Sequence, residues 1–279
     1  MDVITRVFAT TSALKKWRVT KSGLGCPTWP KCDSESFVPH AEAGIHGAIE
    51  FGNRLLTFVL LFLALGTLYT AYKALTKGDP SVKQIRLAAW LILAGIPAQA
   101  IVGGLTVLSG LNPFVVAGHF IVSIIIICVA TWLLHLLYEL RPDRNTRVPN
   151  WLASAGFIIA FISIWLGTVV TGSGPHAGDA NVARTGFDIA TVARLHSLSA
   201  WALMLSTIAT IWLLRDQLAS RVGKAAVILL VVELLQGVIG YWQYFAGVPI
   251  PLVLAHVAGV ALLAVAATNL WLLAKSYTS

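Results

Sequence analysis

His119, His196, His256 and Glu50 are polar residues that lie in or at the mouths of long apolar stretches. A neutral imidazole presents a bare ring nitrogen to a metal, and two such rings on facing helices can hold one haem iron from both sides. His196 begins one apolar stretch and His256 begins another, a pairing that favours haem ligation over the hydrogen-bonded role usual for a lone intramembrane histidine. Glu50 precedes Asn53 by three residues and shares its helical face. A carboxylate at membrane depth is costly and is a functional candidate by default. Two readings stay open for Glu50, a proton acceptor beside an oxidised substrate or a partner of nearby backbone. Arg54 and Arg194 stand next to the ligand positions, where a guanidinium could fork onto haem propionates or anchor its helix at the interface.

The other candidates carry less. His135 faces the far end of its helix and reads as structural, and Glu233 lies within a late span with no motif to decide its role. His40, His46 and His176 fall in loops, where solvated histidines are ordinary; only His46, close to Glu50, has a case for completing a ligand set. Cys128 sits in an apolar run as a packing residue. Cys26-Pro27-Thr28-Trp29-Pro30-Lys31-Cys32 closes a small loop that two prolines already restrict, and a disulfide is its expected state. Two free thiols, or a metal pair with His40 and His46, are the alternatives.

Membrane helices are the elements that must position these groups. Of the 279 residues, 57% are hydrophobic and 11% charged. Such a chain must put apolar surface into lipid, where every backbone amide is satisfied within its own segment. Stretches long enough to span the bilayer run at about 49–72, 85–108, 114–137, 151–171, 192–214, 225–245 and 251–274. The net charge of +8 does not point to nucleic acid, because the basic residues cluster between spans: Lys73, Lys77, Lys83 and Arg86; Arg141, Arg144 and Arg147; Arg215, Arg221 and Lys224; and Lys275. The alternate loops, 109–113, 172–191 and 246–250, carry at most one arginine. The asymmetry predicts a multi-pass protein with its basic loops and C-terminus in the cytoplasm, and the 21–47 segment outside, where thiols can oxidise. Arg6, Lys15, Lys16 and Arg18 break this pattern, since no span separates them from that outside segment; a missing first helix is the expected reason.

An internal repeat organises the spans. Gln99-Ala100-Ile101-Val102-Gly103-Gly104, followed by Gly118-His119, resembles Gln236-Gly237-Val238-Ile239-Gly240-Tyr241, followed by Ala255-His256, and both pairs are 137 residues apart (236 − 99 and 256 − 119). Val19-Thr20-Lys21-Ser22-Gly23 similarly resembles Val170-Thr171-Gly172-Ser173-Gly174. The chain reads as two four-helix halves, 1–145 and 146–279, the first without its first helix. His119 matches His256, and the partner of His196 falls at Asn53.

On these residues the chain resembles the haem A synthase family in its bacterial, eight-span form. The most specific parts are 19–32, Ile49-Glu50-Phe51-Gly52-Asn53-Arg54 and the placing of one histidine per expected helix. The resemblance implies a bacterial cell-membrane oxidoreductase that carries a ring methyl of haem O, by successive hydroxylation, to the formyl group of haem A for cytochrome oxidase. It implies haem b on His196 and His256 in the C-terminal half. It also implies haem O in the N-terminal half, with His119 as iron ligand and Glu50 as the carboxylate near the reacting methyl; a haem O synthase is a candidate partner. The chain departs from the family pattern at Asn53, where histidine is frequent, in its first helix, and in the absence of cysteines from the 172–191 loop. A b-type membrane cytochrome would explain His196 and His256 but leave Glu50 and His119 idle. A transporter would call for mid-membrane prolines and charges, which are scarce apart from Pro97 and Glu233.

Overall fold

The structure, a computed structural model, describes residues 25–40, 44–73, 80–138, 140, 148–175 and 182–275. The basic N-terminus with its expected missing helix, the 19–23 copy of the repeat, Lys77, Arg141, Arg144, Arg147 and His176 lie outside the described residues. Within them are seven helices: α1 (Gly44–Lys73), α2 (Pro80–Leu108), α3 (Pro113–Leu137), α4 (Asn150–Ser173), α5 (Ile189–Leu213), α6 (Arg221–Phe245) and α7 (Ile250–Ala274). All seven are long and apolar enough to cross a membrane. At 1.5 Å per residue, a helix of 25 residues is about 37 Å long, enough for a hydrocarbon core of about 30 Å. Their outward side chains suit lipid: Phe62 is 74% exposed and Phe245 is 78% exposed. The protein is an all-helical, multi-pass membrane protein.

Helices α4, α5, α6 and α7 close a ring, each packing against the next and α4 against α7. Helix α3 packs on this ring between α4 and α7, and α2 packs on α3. Among the described helices α1 packs against α2 alone. The main core joins Ile124 of α3, Ile164 of α4, Leu203 of α5, Leu229 of α6 and Leu263 of α7. A smaller cluster of Ala71, Ile85, Ala88 and Leu133 ties α1, α2 and α3 together at the opposite end from Glu50.

The repeat is visible in backbone conformation as well as in sequence. After α2, Gly110 (φ 63°) and Leu111 (φ 60°) are both left-handed; after α6, Gly247 (φ 75°) and Val248 (φ 60°) are too. In both turns the second residue's amide reaches five residues back, Leu111 to the Thr106 carbonyl and Val248 to that of Gln243, each at 2.8 Å. Left-handed leucine and valine are strained, and valine more so because its Cβ is branched. Both turns bear that strain at equivalent positions, 137 residues apart.

The short turns make neighbouring helices antiparallel, so His119, His196, His256, Glu50, Asn53 and Arg54 all come to one end of the molecule. Lys73, Lys83, Arg86, Arg215, Arg221, Lys224 and Lys275 come to the other. Helix α5 enters the histidine end through Asp188, whose carboxylate caps it by accepting from the Thr191 hydroxyl at 2.6 Å and amide at 2.8 Å. Those bonds, the hydroxyl's first, hold the Asp188 carboxyl below its ordinary value.

Candidate functional site

The histidine end contains two arrangements of polar groups. In the ring of α4 to α7, the imidazoles of His196 on α5 and His256 on α7 meet edge to face, their centres 6.3 Å apart and their planes at 84°. His196 Nδ1 lies 2.9 Å from the Ser163 carbonyl oxygen on α4. A carbonyl can only accept, so Nδ1 is the donor, and in the neutral ring Nε2 is then left with a bare lone pair. Metal-bound histidines are commonly oriented in this way by a carbonyl behind them.

These residues fit a haem. Two imidazoles bound through nitrogen to opposite sides of one metal, with metal–nitrogen bonds of about 2.0 Å and rings about 1.1 Å in radius, have centres about 6 Å apart. Among the described residues no group of three or more His, Cys, Asp or Glu side chains could hold a bare metal ion. A haem needs only two protein ligands, because its macrocycle supplies the other four.

The second arrangement joins α1, α2 and α3 through the 25–32 loop. Cys26 and Cys32 form a disulfide, the expected one of the three states open to them. His40 pairs with Asp33 at 2.8 Å instead of with the sulfurs. Glu50 accepts the Gly25 amide on Oε1 at 2.9 Å and the Cys26 amide on Oε2 at 3.0 Å. One turn further along α1, the Arg54 guanidinium donates to the Pro30 carbonyl at 2.9 Å and to the Thr28 carbonyl at 3.0 Å. A carboxylate and a guanidinium at i and i+4 thus grip the donors and acceptors of one loop. The loop seats closely because Gly25 lies against the Gly47 backbone, where a side chain would have no room. The Trp29 ring packs against Gly104 of α2. Gly103, the residue before it, faces the ring of His119.

His119 is half-buried on α3, and the Gln99 amide and Ser123 hydroxyl both donate to its carbonyl at 3.1 Å. Asn53, His46 and Arg194 are exposed at the same end, Arg194 near enough to Asp188 to help lower its carboxyl. His135 Nε2 bonds the Asn269 side chain at 2.8 Å, tying α3 to α7 at the basic end in the structural role expected of it. Glu233 is buried in α6 at 8% exposure; the Thr207 hydroxyl donates to Oε1 at 2.7 Å, and Oε2 has no hydrogen-bond partner among the described residues.

Sequence reasoning did not find the loop carbonyls as partners of Arg54, Trp29 over Gly104, or Ser163 behind His196. The repeated glycines at 103 and 240 were a signal for part of it, since each sits in the same motif as a histidine.

Residues 17–268 match a family model described as "Cytochrome oxidase assembly protein", COX15-CtaA. The chain is similar to the Heme A synthase of Listeria monocytogenes serotype 4a, 28% identical over 263 residues, covering 85% of this chain and 82% of that protein. It is also similar to the Heme A synthase of Lysinibacillus sphaericus, 29% identical over 160 residues covering 54% of this chain, and to that of Staphylococcus epidermidis, 26% identical over 182 residues covering 61% of this chain. In these two alignments the chain spans only 50% and 57% of the relative's length. No solved structure matches significantly.

Proposed function

The chain belongs to the cytochrome oxidase assembly protein family, COX15-CtaA, and from that premise we propose that it is a haem A synthase, an oxidoreductase of the bacterial cell membrane that converts haem O to haem A. The observation that carries the reading is the facing pair His196 and His256, at a separation suited to one haem iron. They stand beside a second half where His119 and Glu50 occupy the same end. The histidine end faces outward and the basic end faces the cytoplasm.

Residues 146–279 form the half for haem b and residues 1–145 the half for the substrate. Haem b, when bound between His196 and His256, supplies a one-electron carrier next to the substrate half. The Ser163 carbonyl fixes the His196 tautomer, keeping Nε2 available to iron. In the substrate half His119 ligates the haem O iron, and Asn53, a poor ligand, leaves the opposite side to water or His46. Weaker ligation suits a haem that must leave once oxidised.

With water as the oxygen source and an external electron acceptor as oxidant, each hydroxylation (R–CH3 + H2O → R–CH2OH + 2H+ + 2e−, then the same at the alcohol carbon) releases two protons; two such hydroxylations at the ring methyl give a gem-diol, and loss of water gives the formyl group. Glu50 takes up a proton released at that methyl. Each of its oxygens already accepts one loop amide and keeps a second acceptor position, so the carboxylate is oriented without being saturated. Arg54 and Arg194 at the rim neutralise haem propionates, and Arg54 does so from a guanidinium already aimed by the loop carbonyls. A haem O synthase working alongside would deliver the substrate.

The test is complementation. In a bacterial strain without its own haem A synthase, expression of the full chain is expected to restore haem A, identified by mass in extracted membranes. Accumulation of unmodified haem O, with the chain inserted and binding haem b, would contradict the synthase reading and favour a b-type cytochrome.

A further inference from the structure

Each of the three candidate ligand histidines faces a glycine on the preceding helix. A Cβ built on Gly103 of α2 would stand 3.2 Å from His119 Cε1; one on Gly167 of α4, 3.2 Å from His196 Cε1; and one on Gly240 of α6, 3.2 Å from His256 Cε1. The same ring atom meets the glycine at the same distance in three helix pairs, α2 with α3, α4 with α5 and α6 with α7. Gly52, Gly66, Gly118 and Gly237, also within helices, have nothing within 4 Å of such a Cβ, whereas Gly95, Gly104, Gly156, Gly172, Gly223 and Gly259 meet other side chains or backbone. What sets Gly103, Gly167 and Gly240 apart is that the nearest group to each is an imidazole.

We propose that Gly103, Gly167 and Gly240 are positioning residues for the haem ligands: each is a seat on which one imidazole lies, fixing where its ring stands relative to the haem. The proposal rests on the haem-ligand reading of the three histidines. Without the seat, a side chain would push the ring away from the neighbouring helix by a few tenths of an ångström for alanine, and by more for a branched residue. That small displacement matters at a metal, where a ligand set must be held to within about half an ångström.

The fourth station, the counterpart of His196 in the first half, holds Asn53 instead of a histidine.

A glycine within a helix costs about 1 kcal/mol relative to alanine. Gly240→Ala therefore strengthens α6 as a helix, and harm from it arises at the ring. The experiment compares the purified full chain with Gly167→Ala, Gly240→Ala, Gly240→Leu, the control Gly237→Ala on the same helix, and His256→Ala. It reads haem b per polypeptide, the ferric low-spin electron paramagnetic resonance signal and the midpoint potential. We expect both seat alanines to keep haem b but shift the signal and the potential, Gly240→Leu to hold haem about tenfold more weakly, and Gly237→Ala to match the parent. Seat variants indistinguishable from the parent, or a Gly237→Ala shift as large as theirs, would overturn the seat proposal if His256→Ala loses its haem. Full haem b retention in His256→Ala would instead overturn the ligand reading beneath it. Gly103→Ala completes the series: it should leave the haem b signal unchanged and alter the spectrum of added haem O, and a change in the haem b signal alone would contradict its assignment to the substrate half.

Discussion

Glu50 is held by two backbone amides and His196 by one carbonyl, so removing either residue affects a structural partner as well as a proposed function. Glu50→Ala is expected to keep haem b and lose conversion of haem O, because the proposed haem b ligands, His196 and His256, are on other helices. Unchanged haem A output from that variant would remove Glu50 from the mechanism. Glu50→Gln separates its two duties: the amide oxygen can still accept one loop amide, so the disulfide loop should stay partly seated while proton uptake is lost. Conversion should fall as far in Glu50→Gln as in Glu50→Ala, whereas recovery of activity with glutamine would mean that only the grip on the loop matters. Asn53→His supplies a ligand-capable ring at the fourth station and should slow release of the oxidised haem. A release rate equal to the parent's would place Asn53 away from the iron. The histidines were legible in the sequence because an imidazole in an apolar span stands out. The partners of Glu50 and Arg54 were not, because they belong to a loop that reaches α1 only through the fold.

The helices were the most legible part of the chain, and where they differ from expectation the reason is physical. A span read as 85–108 is a helix from Pro80, and one read as 49–72 begins at Gly44. Hydropathy stops at Lys83 and Arg86, or at His46, but the backbone hydrogen bonding continues through a first turn outside the hydrocarbon. The turns were less legible, since two consecutive left-handed residues at 110–111 and 247–248 leave only a glycine as their trace. Gly110→Ala and Gly247→Ala should each destabilise by about 1 kcal/mol through the left-handed conformation that an alanine resists. Thermal unfolding in detergent would register this as a lower midpoint for both variants, and no change in either would contradict the paired-turn conformation. At the start of α5, the Asp188 carboxyl is held below its ordinary value of 3.8 by the Thr191 hydroxyl and amide. A group depressed in the folded state stabilises above its unfolded value and loses that contribution as pH falls through its folded one. Asp188→Ala should therefore unfold at a lower temperature than the parent near neutral pH. The gap should close in acid below the ordinary carboxylate range; a gap independent of pH would mean that the cap's charge contributes nothing.

At the scale of the whole molecule, the proposed function uses the duplication to give one chain two haem stations of different strength. The ring of α4 to α7 closes on itself around His196 and His256, whereas α1 packs against one described helix, α2, and otherwise holds the 25–32 loop. A firmly held carrier and a station that releases its haem can share one fold if the halves differ in how completely they enclose. The charge asymmetry assigns a direction: a reporter on the C-terminus should be active only on the cytoplasmic side, and a periplasm-active reporter there would invert the assignment. The division of labour itself is tested most directly by the purified chain incubated with haem O and an electron acceptor, with the extracted haems identified by chromatography and mass. Haem b in constant amount, together with haem A or its hydroxylated precursor growing at the expense of haem O, is the predicted result. Haem b alone beside unchanged haem O would contradict it.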